Sequence, residues 1–245
     1  MNGRGYGVQF GPPHTPQVIK NLILANVVVF VAQNFAPQVT NFGVDVPALV
    51  WSGQFWRPFT YMWLHGGLLH IAGNMFMLWM FGSSLAAAWG DQRFLRYYLT
   101  CGFGAGFIIA AMPYLAAILG MGSPAEMRSA TLGASGAVMA VLLAFSFTWP
   151  DRTIMLIFPP IPIKAIWLIP LALFLEYAAP AAHNISHLGH LGGVFVGWIY
   201  LLNEGRTPGA PTLQSLGHRY RRYRMRQKLR SVRNEQERDH HRWRQ

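Results

Sequence analysis

Six stretches of this chain are apolar for long enough to be read as membrane-spanning helices. They cover residues 18–35, 68–88, 94–117, 133–149, 164–179 and 187–202. A span needs roughly 17–25 mostly apolar residues, so the first three meet the length outright and the last three are short. Helices are the expected form, because lipid offers no partner to the backbone groups that a strand edge or loop leaves open. The predicted fold class is an all-α, polytopic membrane protein with six transmembrane helices.

The polar intervals differ in character. Residues 36–65 carry Trp51, Phe55, Trp56, Phe59, Tyr61 and Trp63, a density of aromatic rings that suits the lipid headgroup layer. Residues 120–131 are polar. Pro159, Pro160 and Pro162 stop any helix between the fourth and fifth spans, since proline has no N–H and clashes with the preceding turn. The chain shows neither an internal repeat nor a separate soluble domain.

Composition agrees with this pattern. Of 245 residues 52% are hydrophobic and 12% charged, about half the charged share of a typical soluble domain. The net charge of +11 is lopsided, because 12 of the 20 Lys and Arg follow residue 203. With six spans, both ends share a side with Arg93 and Arg152, and only Arg57 and Arg128 lie opposite. A positive excess marks the cytoplasmic face, which puts Ser135 and His190 near the outward ends of their helices. The expected organisation is a cytoplasmic tail over residues 1–17, a membrane domain over 18–203 and a basic cytoplasmic tail over 204–245.

Residues 1–17 lack the charged start, short apolar core and cleavage site of a signal peptide, so the first span is expected to be retained. In the tail, Arg219, Arg221, Arg222, Arg224 and Arg226 are interleaved with Tyr220, Tyr223 and Met225. Such a segment beside a span is drawn to anionic lipid by about 1 kcal/mol per basic residue. Lipid is therefore the expected partner of the tail, and nucleic acid is not. A single cysteine, Cys101, excludes an intrachain disulfide.

The candidate chemistry lies in the apolar runs. Ser135 sits in Gly133-Ala134-Ser135-Gly136 at the mouth of the fourth, and the flanking glycines leave its backbone open to an approaching carbonyl. Serine needs a base to take its proton, and histidine is the usual one near neutral pH. His190 opens the sixth run, three residues before Gly193 and seven before Gly197, hence on much the same helical face. Gly189, Gly193 and Gly197 recur every fourth residue and form a groove for close helix contact. If the two small faces meet, His190 is carried against Ser135. The same glycines would also serve packing alone, and spacing leaves those readings level. His70 and Asn74 share a face of the second run, where polar groups are costly and mark function by default. They suit an oxyanion hole, or else a structural hydrogen bond between helices. His187 is a rival base or a supporting partner, and His65 reads as structural.

Taken in order along the chain, these residues resemble the rhomboids, a family of intramembrane serine proteases. The marks are Trp56-Arg57, His70-x-x-x-Asn74, Gly133-Ala134-Ser135-Gly136 and His190-x-x-Gly193-x-x-x-Gly197. The resemblance implies a six-helix bundle with a catalytic dyad in a water-filled cavity below the membrane surface. It makes Ser135 the nucleophile and His190 the base and later acid, with no third carboxylate. His70, Asn74 and the Ser135 amide would stabilise the oxyanion, and Trp56-Arg57 would belong to a loop embedded in the outer leaflet. Substrates would be transmembrane proteins, cut near the top of their own spanning helix. Met139 stands where many relatives carry an aromatic ring that stacks on the histidine; a thioether also packs on imidazole.

No His, Cys and carboxylate set has metal-ligand spacing, and no cofactor is expected. The alternative function is a catalytically silent rhomboid-like protein that binds membrane clients. A small transporter is disfavoured, because residues 75–81 below Asn74 carry no charge. The expected location is a bacterial inner membrane, multi-pass, with both termini cytoplasmic. Glu176 is read as reaching the interface.

Overall fold

Helix α7, Asp91–Ile118, is the longest helix among the described residues, and the helix that opens at Ser135 packs along it. The computed structural model describes residues 11–156, 159–178 and 187–204. The residues divide into two units, Met1–Ile199 and Tyr200–Gln245; of the second, only 200–204 are described, as the end of the last helix. All but the first residue of the expected tail over 204–245, and most of that over 1–17, lie outside the described residues.

The first unit is mostly helical. Helix α1 covers Gln17–Phe35, and three short helices follow: α2, Pro37–Gly43, α3, Pro47–Trp51, and α4, Arg57–Thr60. Each has proline in its first turn, where the missing N–H costs nothing and the fixed φ suits a helix start. The second apolar run is α5, Leu68–Met77, a π-helical turn over Leu78–Gly82, and α6, Ser83–Trp89. After α7 come α8, Ser135–Thr148, α9, Leu168–Ala178, and α10, His187–Asn203. Between α8 and α9, β1, Thr153–Met155, pairs antiparallel with β2, Pro162–Lys164.

Among the described residues three helices are long and apolar enough to cross a membrane: Gln17–Phe35, Leu68–Trp89 and Asp91–Ile118. Ser135–Thr148 and Ala165–Ala178 are shorter apolar helices. The 14 residues of α8 extend about 21 Å at 1.5 Å each, less than the ~30 Å hydrocarbon layer. Every residue from Gly136 to Ser146 is buried, so α8 is covered on all sides and has no lipid-facing stripe.

The interval before α5 is a folded cap. Tyr61 Oη donates to the Gly102 carbonyl of α7 at 2.9 Å, and Trp51 Nε1 donates to Ala110 O at 2.8 Å. Arg57 is buried and donates to Gln54 Oε1 at 2.7 Å, to Asn41 O at 3.0 Å and to Val44 O. Trp56 stacks on Phe42 and donates its indole N–H to Phe42 O at 3.0 Å. Trp51, Phe55, Trp56 and Phe59 remain exposed. Aromatics outward and arginine inward is the reverse of a water-facing surface and suits the headgroup layer.

Candidate active site

The turn that delivers Ser135 is fixed to the cap at two points. Thr131 and Asp45 form a backbone bridge, with N–H···O distances of 2.8 and 2.9 Å, and Gly133 N–H donates to Tyr61 O at 3.0 Å. Gly133 has φ +130°, a left-handed conformation that glycine adopts without a Cβ penalty. A Cβ there would also meet the His70 ring, 2.8 Å from Cε1 and 2.9 Å from Nε2, with Ser135 Oγ 3.7 Å away. His70 and Ser135 thus flank Gly133. Ser135 is the first residue of α8 and half-buried, at a helix start whose leading N–H groups have no partner within the helix.

The orientation of His70 follows from one contact. Gly66 N–H donates to His70 Nδ1 at 3.3 Å, so a neutral His70 carries its proton on Nε2, the nitrogen on the Gly133 side. Asn74 is buried and donates to His70 O at 3.0 Å; this uses one amide N–H and leaves the other. His65 packs edge-on against His70 at 5.1 Å between ring centroids. Burial is the main reason its basicity falls to about 4, and the neighbouring His70 adds to it. His65 is therefore a neutral wall behind His70 at physiological pH.

Helix α10 reaches the site through glycine. A Cβ on Gly193 would overlap the Gly136 carbonyl, and one on Gly136 would lie 3.0 Å from Gly189 O. The backbones of α8 and α10 therefore touch one residue beyond Ser135. His190 follows Gly189 directly, is partly buried, and lies close enough to His70 to interact electrostatically. Among the described residues no hydrogen bond joins Ser135 Oγ to His190; contacts of this kind often tighten only with substrate. Gly197, one turn on, rests against Tyr97 and Ala140 of α7 and α8.

Of the residues singled out in the sequence, Ser135, His70, His190, Gly133, Gly136 and Gly193 come together. Asn74 is one turn below His70. Gly197 belongs to the packing seam, and Trp56 and Arg57 hold the cap. One residue lies elsewhere than its sequence position suggests. Glu176 on α9 is buried and does not reach for the interface: its Oε1 meets His187 Nδ1 at 2.5 Å and its Oε2 meets His190 Nδ1 at 2.7 Å. A charged residue in an otherwise apolar helix was the available signal.

Residues 52–206 match the rhomboid domain. RHOMBOID-like protein 12, mitochondrial, of Arabidopsis thaliana is 32% identical over 188 residues, covering 73% of this chain and 56% of that protein. Rhomboid protein 1, mitochondrial, of Saccharomyces cerevisiae is 33% identical over 139 residues, 56% of this chain and 38% of that protein. Presenilin-associated rhomboid-like protein, mitochondrial, of Homo sapiens is 32% identical over 145 residues, with shares of 56% and 35%. The chain therefore spans between about a third and just over half the length of these relatives.

These relatives overturn one expectation. The chain was placed in a bacterial inner membrane, whereas the proteins it resembles are mitochondrial by name. Apolar spans and a positive face report a bilayer and an orientation, and carry no signal for which bilayer it is. The multi-pass character fits. With a rhomboid domain match over more than half its length and relatives at about a third identity, this chain belongs to the rhomboid family.

Proposed function

We propose that this chain is an intramembrane serine endopeptidase that cuts transmembrane protein substrates. The observation that carries the reading is Ser135 at the start of α8, flanked by His70 and joined by a glycine seam to the helix bearing His190. In this reading α1, the α5–α6 segment, α7, α8, α9 and α10 are the six helices of a rhomboid bundle. The short α8 keeps Ser135 below the membrane surface.

The chemistry runs in two halves. His190 takes the proton from Ser135 Oγ as the oxygen attacks the carbonyl carbon of the substrate peptide. His70 Nε2–H, the free Asn74 amide N–H and the Ser135 N–H receive the negative oxygen. The tetrahedral adduct collapses, the C–N bond breaks, and His190 returns the proton to the leaving amine. Water then attacks the acyl-serine with His190 again as base, releasing the acid and regenerating the hydroxyl. The basic tail over 204–245 is assigned to anionic lipid, and the names of the relatives make a mitochondrial membrane the first location to test.

The test is labelling of the full chain in detergent with a fluorophosphonate probe, beside Ser135→Ala and His190→Ala. Labelling of the wild type that both substitutions abolish is the expected result. Folded wild-type protein that stays unlabelled, while an active family member labels under the same conditions, would overturn the reading in favour of a client-binding role.

A further inference from the structure

Helix α9 carries one charged residue, Glu176, and its carboxylate is buried. An ionised group in a membrane helix is costly unless it is paired. Both oxygens are occupied, each by a histidine of α10 one turn apart: His187 Nδ1 at 2.5 Å and His190 Nδ1 at 2.7 Å. His187 is held in turn by stacking on Tyr177, 4.8 Å between centroids and 13° between planes. The carboxylate plane is thus fixed from two sides.

We propose that Glu176 is the positioning residue for His190, a buried carboxylate that orients the base of the Ser135–His190 pair. The proposal rests on the protease reading above. A carboxylate that accepts Nδ1–H fixes the tautomer of the imidazole and leaves the lone pair on Nε2. Only that tautomer lets His190 take a proton from Ser135 with the nitrogen remote from Glu176. The contact also limits rotation of a ring whose own helix has glycine just before it, Gly189, and one turn after it, Gly193. His187 takes no part in the proton transfer; by occupying Oε1 it turns Oε2 toward His190.

The experiment uses the full chain in detergent, with ¹⁵N-labelled histidine for the tautomer and fluorophosphonate labelling for the rate. Wild-type His190 is expected to be protonated at Nδ1. Glu176→Gln keeps the shape of the side chain but presents an amide N–H, which favours the Nε2–H tautomer. It should lower the labelling rate roughly 100-fold or more without a matching loss of thermal stability. Glu176→Asp should recover part of the rate, and His187→Ala should cost less than Glu176→Gln. A purely structural tie between α9 and α10 would lower stability and rate together, and that result overturns the proposal. So would an unchanged rate in Glu176→Gln, a greater loss in His187→Ala, or a wild-type His190 protonated at Nε2. If the wild type is folded but not labelled, the protease reading fails, and the tautomer comparison still decides whether Glu176 orients His190.

Discussion

Gly193 of α10 lies against Gly136 of α8 so closely that a β-carbon on Gly193 would overlap the Gly136 carbonyl oxygen. The contact is backbone on backbone, so no rotamer change can relieve a substitution. Gly193→Ala is expected to force α10 away from α8, costing roughly 1–3 kcal/mol from overpacking and abolishing probe labelling at Ser135. Gly197→Ala should be milder, because the atom a Cβ there meets most closely is the Tyr97 hydroxyl at 2.6 Å, the far end of a side chain, while the fixed Ala140 Cβ is 3.0 Å away. Gly73→Ala, with nothing within 4 Å, is the control and should unfold at or above the wild-type temperature. Thermal unfolding in detergent, read beside labelling, orders the three.

His70 offers a test of the oxyanion arrangement. Its Nδ1 accepts Gly66 N–H at 3.3 Å, so its Nε2–H is the donor available near Ser135. His70→Ala should slow fluorophosphonate labelling roughly 100- to 1000-fold, the usual loss for one oxyanion donor. Helix content, read by circular dichroism, should not change. A labelling rate within threefold of wild type would assign His70 to packing against His65 alone.

The sequence made the long elements legible because their signal is local. Runs predicted over 18–35, 68–88 and 94–117 emerge as helices over Gln17–Phe35, Leu68–Trp89 and Asp91–Ile118. The fifth run begins late, since Pro162–Lys164 is a strand and Ala165–Trp167 a 3-10 turn before α9. The cap was read only as an aromatic loop, although Pro37, Pro47 and Pro58 each stand in the first turn of a short helix. The pairing of Glu176 with His187 and His190 was not legible, because it depends on how α9 and α10 are set side by side. The π-helical turn over Leu78–Gly82 left no mark in the hydrophobic pattern at all.

Arg57 is the pin of the cap. Its guanidinium reaches Gln54 Oε1 at 2.7 Å, Asn41 O at 3.0 Å and Val44 O, three oxygens that a planar fork can serve together and an ammonium cannot. Arg57→Lys should therefore lose at least two of the three part-buried hydrogen bonds, at about 1–3 kcal/mol for each bond to the charged guanidinium. Limited proteolysis should then cut within residues 36–60 while α7 and α8 stay intact. An unchanged digestion pattern would show that the cap is held by Tyr61 and Trp51 without the arginine.

Asp45 should make the cap weaken as pH rises. Its side chain is buried, and among the described residues neither carboxylate oxygen has a hydrogen-bond partner. Burial pushes its pKa from 3.8 up to about 7, against the opposing pull of Arg57; the other titratable group that faces it is Tyr61, itself held neutral by burial. Between about pH 4 and pH 7 the folded chain keeps the Asp45 proton and the unfolded chain releases it. The native state therefore binds more protons over that window, and stability falls with rising pH. The loss is complete above pH 7 and amounts to ~4 kcal/mol at most. Because Asp45 pairs through its backbone with Thr131, two residues before Gly133, the weakening is felt at the turn that carries Ser135. Unfolding temperatures of the wild type and Asp45→Asn, compared from pH 5 to pH 8, should diverge. The wild type should drop relative to the variant, which has no proton to lose at this position. Parallel curves would mean that the folded-state pKa of Asp45 lies at or below its ordinary value and that the cap does not sense pH through Asp45.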